Sequence, residues 1–157
     1  MRNITPLRLT YLTGHTHQPI EAVFAFLSNH ENYQNWYPGV DSVTSLDEAA
    51  HGSVGKAYLE TLKMPGGRLQ DIRIVTVFSE PPHRFMTQGD FAPLLPQMTF
   101  ELKPASDGGT DMTWMFHTRH TSLVRRMVAR LVFGPILRRQ AIQAMTNLTG
   151  LLDRQPG

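Results

Sequence analysis

The sequence predicts an α+β fold: an antiparallel sheet of about seven strands with its helices on one side, closed by a long, kinked C-terminal helix. Three observations carry this. One alternating segment near the N-terminus is followed at once by two short helical segments. About six further β-like segments succeed one another, separated by Gly, Pro and polar turns. The last third then changes period, with apolar residues recurring at spacings of three and four. A sheet with one apolar face and a helix with one apolar stripe must bury them against each other, which is the layer logic of an α+β protein.

Each element has its own local reason. Leu7-Arg8-Leu9-Thr10-Tyr11-Leu12-Thr13 alternates and reads as a strand near 6–16. Pro19 suits the first position of a helix, where its missing N–H costs nothing. Ile20, Val23, Phe24 and Leu27 then lie on one face of a helix at about 19–28. A second short helix is expected around 30–36, ended by Pro38-Gly39. Strands are expected at 40–46, 55–63, 68–78 and 83–89, with a turn at 64–67 and a proline-bounded apolar loop at 91–96. The clearest pair is a hairpin. Met98, Phe100 and Leu102 alternate with polar neighbours, as do Met112, Trp114 and Phe116 across Asp107-Gly108-Gly109. Beyond it, Leu123, Val124, Met127, Val128, Leu131 and Val132 form one helical stripe, expected to face the sheet. Leu137, Ala141, Met145, Leu148 and Leu152 form another. Gly134-Pro135 between them predicts a kink or a break, because proline cannot donate and clashes with the preceding turn.

Composition bounds the rest. A chain of 157 residues, 41% hydrophobic and 18% charged, is read as one domain, 1–157, with a core of its own. It has no cysteine, which removes disulfides, thiolate nucleophiles and thiolate metal sites. The first residues lack the apolar run of a signal peptide, and no segment approaches a membrane span, so a cytoplasmic location is expected. Net charge is +2 but uneven. From Arg119 onward there are seven arginines against one acid, a net +6; residues 1–118 hold eight basic and twelve acidic groups, a net −4.

The stretch from His17 to Val40 carries a family resemblance. It runs His17-Gln18-Pro19-Ile20-Glu21-Ala22-Val23-Phe24-Ala25-Phe26-Leu27, then Glu31-Asn32-Tyr33-Gln34-Asn35-Trp36-Tyr37-Pro38-Gly39-Val40. Two short helices inserted directly after one strand resemble the entry to the helix-grip, START-like superfamily of polyketide cyclases and dehydrases, plant pathogenesis-related allergens and lipid-transfer domains. The order and lengths of the remaining elements extend the resemblance over essentially the whole chain. It implies a curved sheet gripping the last helix and an apolar cleft between them. It also implies a small hydrophobic ligand such as a lipid, an isoprenoid or an aromatic polyketide-like molecule. On that basis the expected liners are Trp36, Tyr58, Met98, Phe100, Trp114, Phe116, Met127, Leu131, Leu137, Ala141 and Met145, with free space between Trp114 and Met145. Packing without a ligand is the competing reading of each.

Other chemistry is thinner. Tyr58 and Glu60 share a strand face. If that face is concave, Glu60 is a carboxylate in apolar surroundings, suited to the proton transfers of a cyclase or dehydratase. Ala57, Leu59 and Thr61 compete for that face, and the reading favours Glu60 on the wetted side. His117 is a further candidate for orienting or acid–base work. His15 and His17 share a face, but two ligands do not make a metal site; His117 and His120 would point oppositely, and no metal is expected. No motif calls for a cofactor. Arg125, Arg126, Arg130, Arg138 and Arg139 ring the outside of the last helices, which points to an anionic membrane surface or an acidic partner. With small net charge and no aromatics among the arginines, the sequence points away from nucleic acid.

Overall fold

In the computed structural model, which describes residues 4–156, seven strands form one antiparallel sheet: β1 (Leu7–Thr16), β2 (Val40–Ser45), β3 (Ala57–Lys63), β4 (Leu69–Glu80), β5 (Arg84–Gly89), β6 (Pro96–Pro104) and β7 (Thr110–Thr118). Their order is β1-β7-β6-β5-β4-β3-β2, so the chain leaves β1 at one edge, crosses to β2 at the other and meanders back. The crossing is made by helix α1 (Ile20–Ser28) and a 3₁₀ helix (His30–Asn35). Register shifts at Arg8/Thr10, Val40/Ser42 and Thr76/Phe78 interrupt the ladders. Such bulges bend a strand and increase its twist, and the sheet curves accordingly. The β3–β4 turn passes through Gly66 and Gly67, both at φ 82°, a region that favours glycine.

The C-terminal segment is a single helical path with a fault in it. Helix α2 (Leu123–Val128) widens into a π turn (Ala129–Phe133) before α3 (Gly134–Arg154), in which Pro135 occupies the first turn. The expected interruption at Gly134-Pro135 is therefore a change of helical pitch just ahead of the proline.

The second stripe packs as expected. Leu137, Ala141, Met145, Leu148 and Leu152 are all buried. Beneath the distal part of α3 the core is solid: Trp114 and Phe100 are fully buried and stacked at 5.5 Å, and Trp36 meets Trp114 edge-on at 5.2 Å. The first stripe does not pack. Leu123, Val124, Met127, Val128, Leu131 and Val132 are between 47% and 74% exposed. This corrects the expectation that they face the sheet. β7 ends at Thr118, and in this segment only Ala129 is buried, with Leu94 and Leu137.

The far end of α3 is tied down. Asp153 Oδ1 accepts from the Thr16 hydroxyl at 2.6 Å and from the His17 N–H at 3.0 Å, while Gln18 Nε2 donates to the carbonyls of Leu152 (3.0 Å) and Gln155 (2.8 Å). The Thr16 bond, then the His17 amide, hold the Asp153 carboxyl below its ordinary pKa. A lowered folded-state pKa stabilises above the unfolded value and is lost as pH falls through the folded one. Asp153→Asn is thus expected to lower the melting temperature at neutral pH. The gap from wild type should close on acidification below the carboxylate range, as followed by circular dichroism.

Candidate functional site

The 3₁₀ helix builds one wall of the site. Asn29 caps it by accepting from the Glu31 N–H at 3.1 Å. Side chains three apart eclipse in a 3₁₀ helix, and His30 and Tyr33 stack at 4.7 Å with 24° between planes. Tyr37 continues the column, stacked on Tyr33 at 4.7 Å and 20°. Opposite stand Ile72 and Ile74 of β4, Thr87 and Gly89 of β5, Met98 of β6 and Phe116 of β7. Val132 and Phe133 of the π turn, with Ile136, Leu137 and Gln140 from the start of α3, form the roof, and Phe91, Leu94 and Pro96 close one side. The space enclosed is a cavity of about 560 Å³, within the range of small-molecule sites.

One buried polar pair breaks this apolar lining. Glu60, central in β3, accepts at Oε2 from His30 Nε2 at 2.6 Å, and the two side chains are only 6% and 4% exposed. A buried carboxylate persists only when paired and hydrogen-bonded. Burial, then Tyr37 and Glu60, raise the Tyr33 phenol well above its ordinary pKa; burial, then Glu60, raise that of Tyr37. Both therefore remain O–H donors across the physiological range. Tyr37 spends its proton on Gln140 Oε1 at 2.8 Å, which ties the 3₁₀ wall to the α3 roof. Chemically, an imidazole and a carboxylate in contact at an apolar wall can anchor a ligand's polar group or pass a proton to and from it.

The structure redistributes the residues expected from sequence. Met98, Phe116, Leu137 and Glu60 line the cavity. Glu60 is buried, which corrects its assignment to the wetted side. Trp36, Phe100, Trp114, Ala141 and Met145 do not line it. They form the solid core under the distal part of α3, so the free space lies closer to the β3–β5 strands than the Trp114–Met145 gap expected for it. Met127 and Leu131 are on the outer surface, 54% and 69% exposed. Tyr58 is buried beside the pair, but its hydroxyl bonds His51 Nδ1 at 2.7 Å, outside the cavity; burial pushes its pKa up to about 12. His117 alternates with Phe116 and so points to the other face of the sheet, where burial, then Arg8, lower its pKa. It belongs to no common site with Glu60.

His30 was absent from the sequence-derived candidates. Its signal was the three-residue spacing of rings after a capping asparagine, His30, Tyr33 and Trp36, followed by Tyr37. The His15–His17 pair gains two acidic neighbours that spacing could not reveal. His15 Nε2 meets Asp107 Oδ2 at 2.8 Å and its Nδ1 meets Asp111 Oδ1 at 2.9 Å, with His17 Nδ1 at 3.4 Å from Asp107. All four of these residues are exposed. The hydrogen bond to Asp111 is foremost in raising the His15 pKa.

Comparison with known proteins agrees with this architecture. The family described as polyketide cyclase / dehydrase and lipid transport matches residues 15–150. No curated protein matches the chain. Among solved structures, a Rhodobacter sphaeroides protein is 20% identical with a TM-score of 0.65, covering 98% of this chain and 99% of its own. The Mycobacterium smegmatis protein Ms6760 is 16% identical with a TM-score of 0.64, covering 90% and 88%. BexL, a di-domain ARO/CYC of the BE-7585A biosynthetic pathway, is 14% identical with a TM-score of 0.66, covering 94% of this chain and 50% of its own. At these identities the likeness concerns the fold.

The pair itself can be tested thermodynamically. Removing one partner of a buried hydrogen-bonded polar pair leaves the other unsatisfied and typically costs roughly 1–3 kcal/mol, more where a charge is left behind, while replacing both with apolar groups is often near neutral. His30→Phe is expected to destabilise in that range, and His30→Phe/Glu60→Leu to recover most of it. Urea denaturation of the wild type, both single variants and the double variant measures the coupling.

Proposed function

Because the chain belongs to the polyketide cyclase / dehydrase and lipid transport family, we propose that it binds a small hydrophobic molecule in the cavity between the sheet and the first turns of α3. The observation that carries this is a largely apolar space of about 560 Å³ with the buried His30–Glu60 pair in its wall. Binding is driven by burial. Each buried methylene contributes about 0.8 kcal/mol, so a ligand with ten or so carbons supplies the ~8 kcal/mol of a micromolar complex. His30 and Glu60 orient the polar end. The same pair supports a cyclase- or dehydratase-type alternative, in which Glu60 takes a proton beside a carbonyl and His30 holds the carboxylate in place.

Nile red, an uncharged dye that brightens in apolar surroundings, tests the primary reading. It is expected to bind the wild type at micromolar concentration. Met98→Trp, which puts an indole into the cavity, should weaken binding roughly tenfold or more with little loss of secondary structure. Equal binding by the wild type and Met98→Trp would place the dye elsewhere and remove the reading.

A second surface favours loading of the ligand from an anionic bilayer. The exposed apolar row from Leu123 to Val132 is interleaved with Arg125, Arg126 and Arg130 and followed by Arg138 and Arg139. Among the described residues none of these arginines pairs with a carboxylate. Val132 belongs to both this row and the cavity roof. Apolar side chains among cations on one helical segment suit the interface of a charged membrane. Co-sedimentation is expected with phosphatidylcholine vesicles containing phosphatidylglycerol and not with phosphatidylcholine alone. Charge reversal at Arg125, Arg126 and Arg130 should abolish it; binding insensitive to that reversal would contradict this role.

A further inference from the structure

The wall chemistry of the cavity narrows the ligand class, given the binding reading above. His30 Nε2 is committed to Glu60 Oε2. Among the described residues the other Glu60 oxygen has no hydrogen-bond partner, and Glu60 is among the residues that line the cavity. An ionised carboxylate is acceptor-only, so it asks for an O–H or N–H from whatever occupies the space. Tyr33, whose ring lines the same wall, has no hydrogen-bond partner among the described residues and offers a donor. A hydroxyl is both acceptor and donor and answers both groups at once.

A carboxylate ligand answers only one of them. It can accept from Tyr33, but it brings no proton for Glu60, and two carboxylates brought together at a buried wall repel. Among the described residues the only lysine or arginine on the lining, Lys63, is exposed at the rim, where solvent screens it. A fatty carboxylate could turn its head to that rim only by laying its methyl end against the buried pair, leaving the acceptor unmatched. We propose that the cavity selects uncharged apolar molecules bearing a hydroxyl, aliphatic or phenolic, and discriminates against fatty carboxylates, with Glu60 as the discriminating residue.

The experiment is displacement of bound Nile red at pH 8 by dodecanol and by dodecanoate, matched in chain length and different in head group. The wild type is expected to bind dodecanol at least tenfold more tightly. In Glu60→Gln, which keeps shape and removes charge, that ratio should fall to within about threefold, mainly through tighter dodecanoate binding. Equal or tighter dodecanoate binding by the wild type overturns the proposal without any variant, as does a ratio unchanged in Glu60→Gln that retains its circular dichroism spectrum. Failure of Nile red to bind at all would defeat the binding reading itself. Dye bound and displaced with the wrong preference defeats only the selectivity.

Discussion

The site exists because α3 is fastened to the sheet along only part of its length. At its far end, Asp153 and the Leu152 and Gln155 carbonyls are tied to Thr16, His17 and Gln18. Leu148, Leu152 and Ala144 have nearly vanished from solvent. Gly14 of β1 allows this closeness: a methyl group there would stand 2.5 Å from the Met145 sulfur. Toward Gly134 the support changes. The roof rests on Leu94 and on the Tyr37–Gln140 hydrogen bond, and the space below it is left to a guest.

The same geometry explains why a polar pair can sit in an apolar wall. β3 lies next to the sheet edge formed by β2, under the short 3₁₀ helix, and Glu60 faces into the curve. His30, the first residue of that helix, meets it from above. The stack of His30, Tyr33 and Tyr37 gives the imidazole a rigid backing, and stacked rings hold their orientation with little entropy left to lose on ligand binding. Pairing satisfies one carboxylate oxygen and leaves the other without a partner among the described residues, in a side chain that lines the cavity.

Much of this architecture was legible in the residues. Pro19, Pro38-Gly39, Gly66-Gly67 and Asp107-Gly108-Gly109 punctuate the chain where the elements change, because each imposes a backbone geometry locally. The alternation of β6 and β7 named the buried face correctly. The site was less legible, since it depends on where the helix stands and not on what it contains. Met98 and Met145 look alike as apolar residues aimed inward, yet one lines the cavity and the other fills the core. Met127 and Leu131 carry a helical stripe indistinguishable in pattern from that of α3, but no sheet lies beneath them. Glu60 carries no sign of its burial, because its partner His30 is thirty positions away.

The claim on which the account turns is where the open space lies, and the methionines are placed to report it. With methyl-labelled methionine, NMR spectra recorded during a Nile red titration separate Met64 and Met98, on the cavity wall, from Met112 and Met145, in the packed interior. The Met98 methyl signal is expected to shift most, with Met64 following and Met112 and Met145 holding still. Large shifts at Met145 and Met112 with Met98 unmoved would put the guest between the distal part of α3 and Trp114, and would contradict the account.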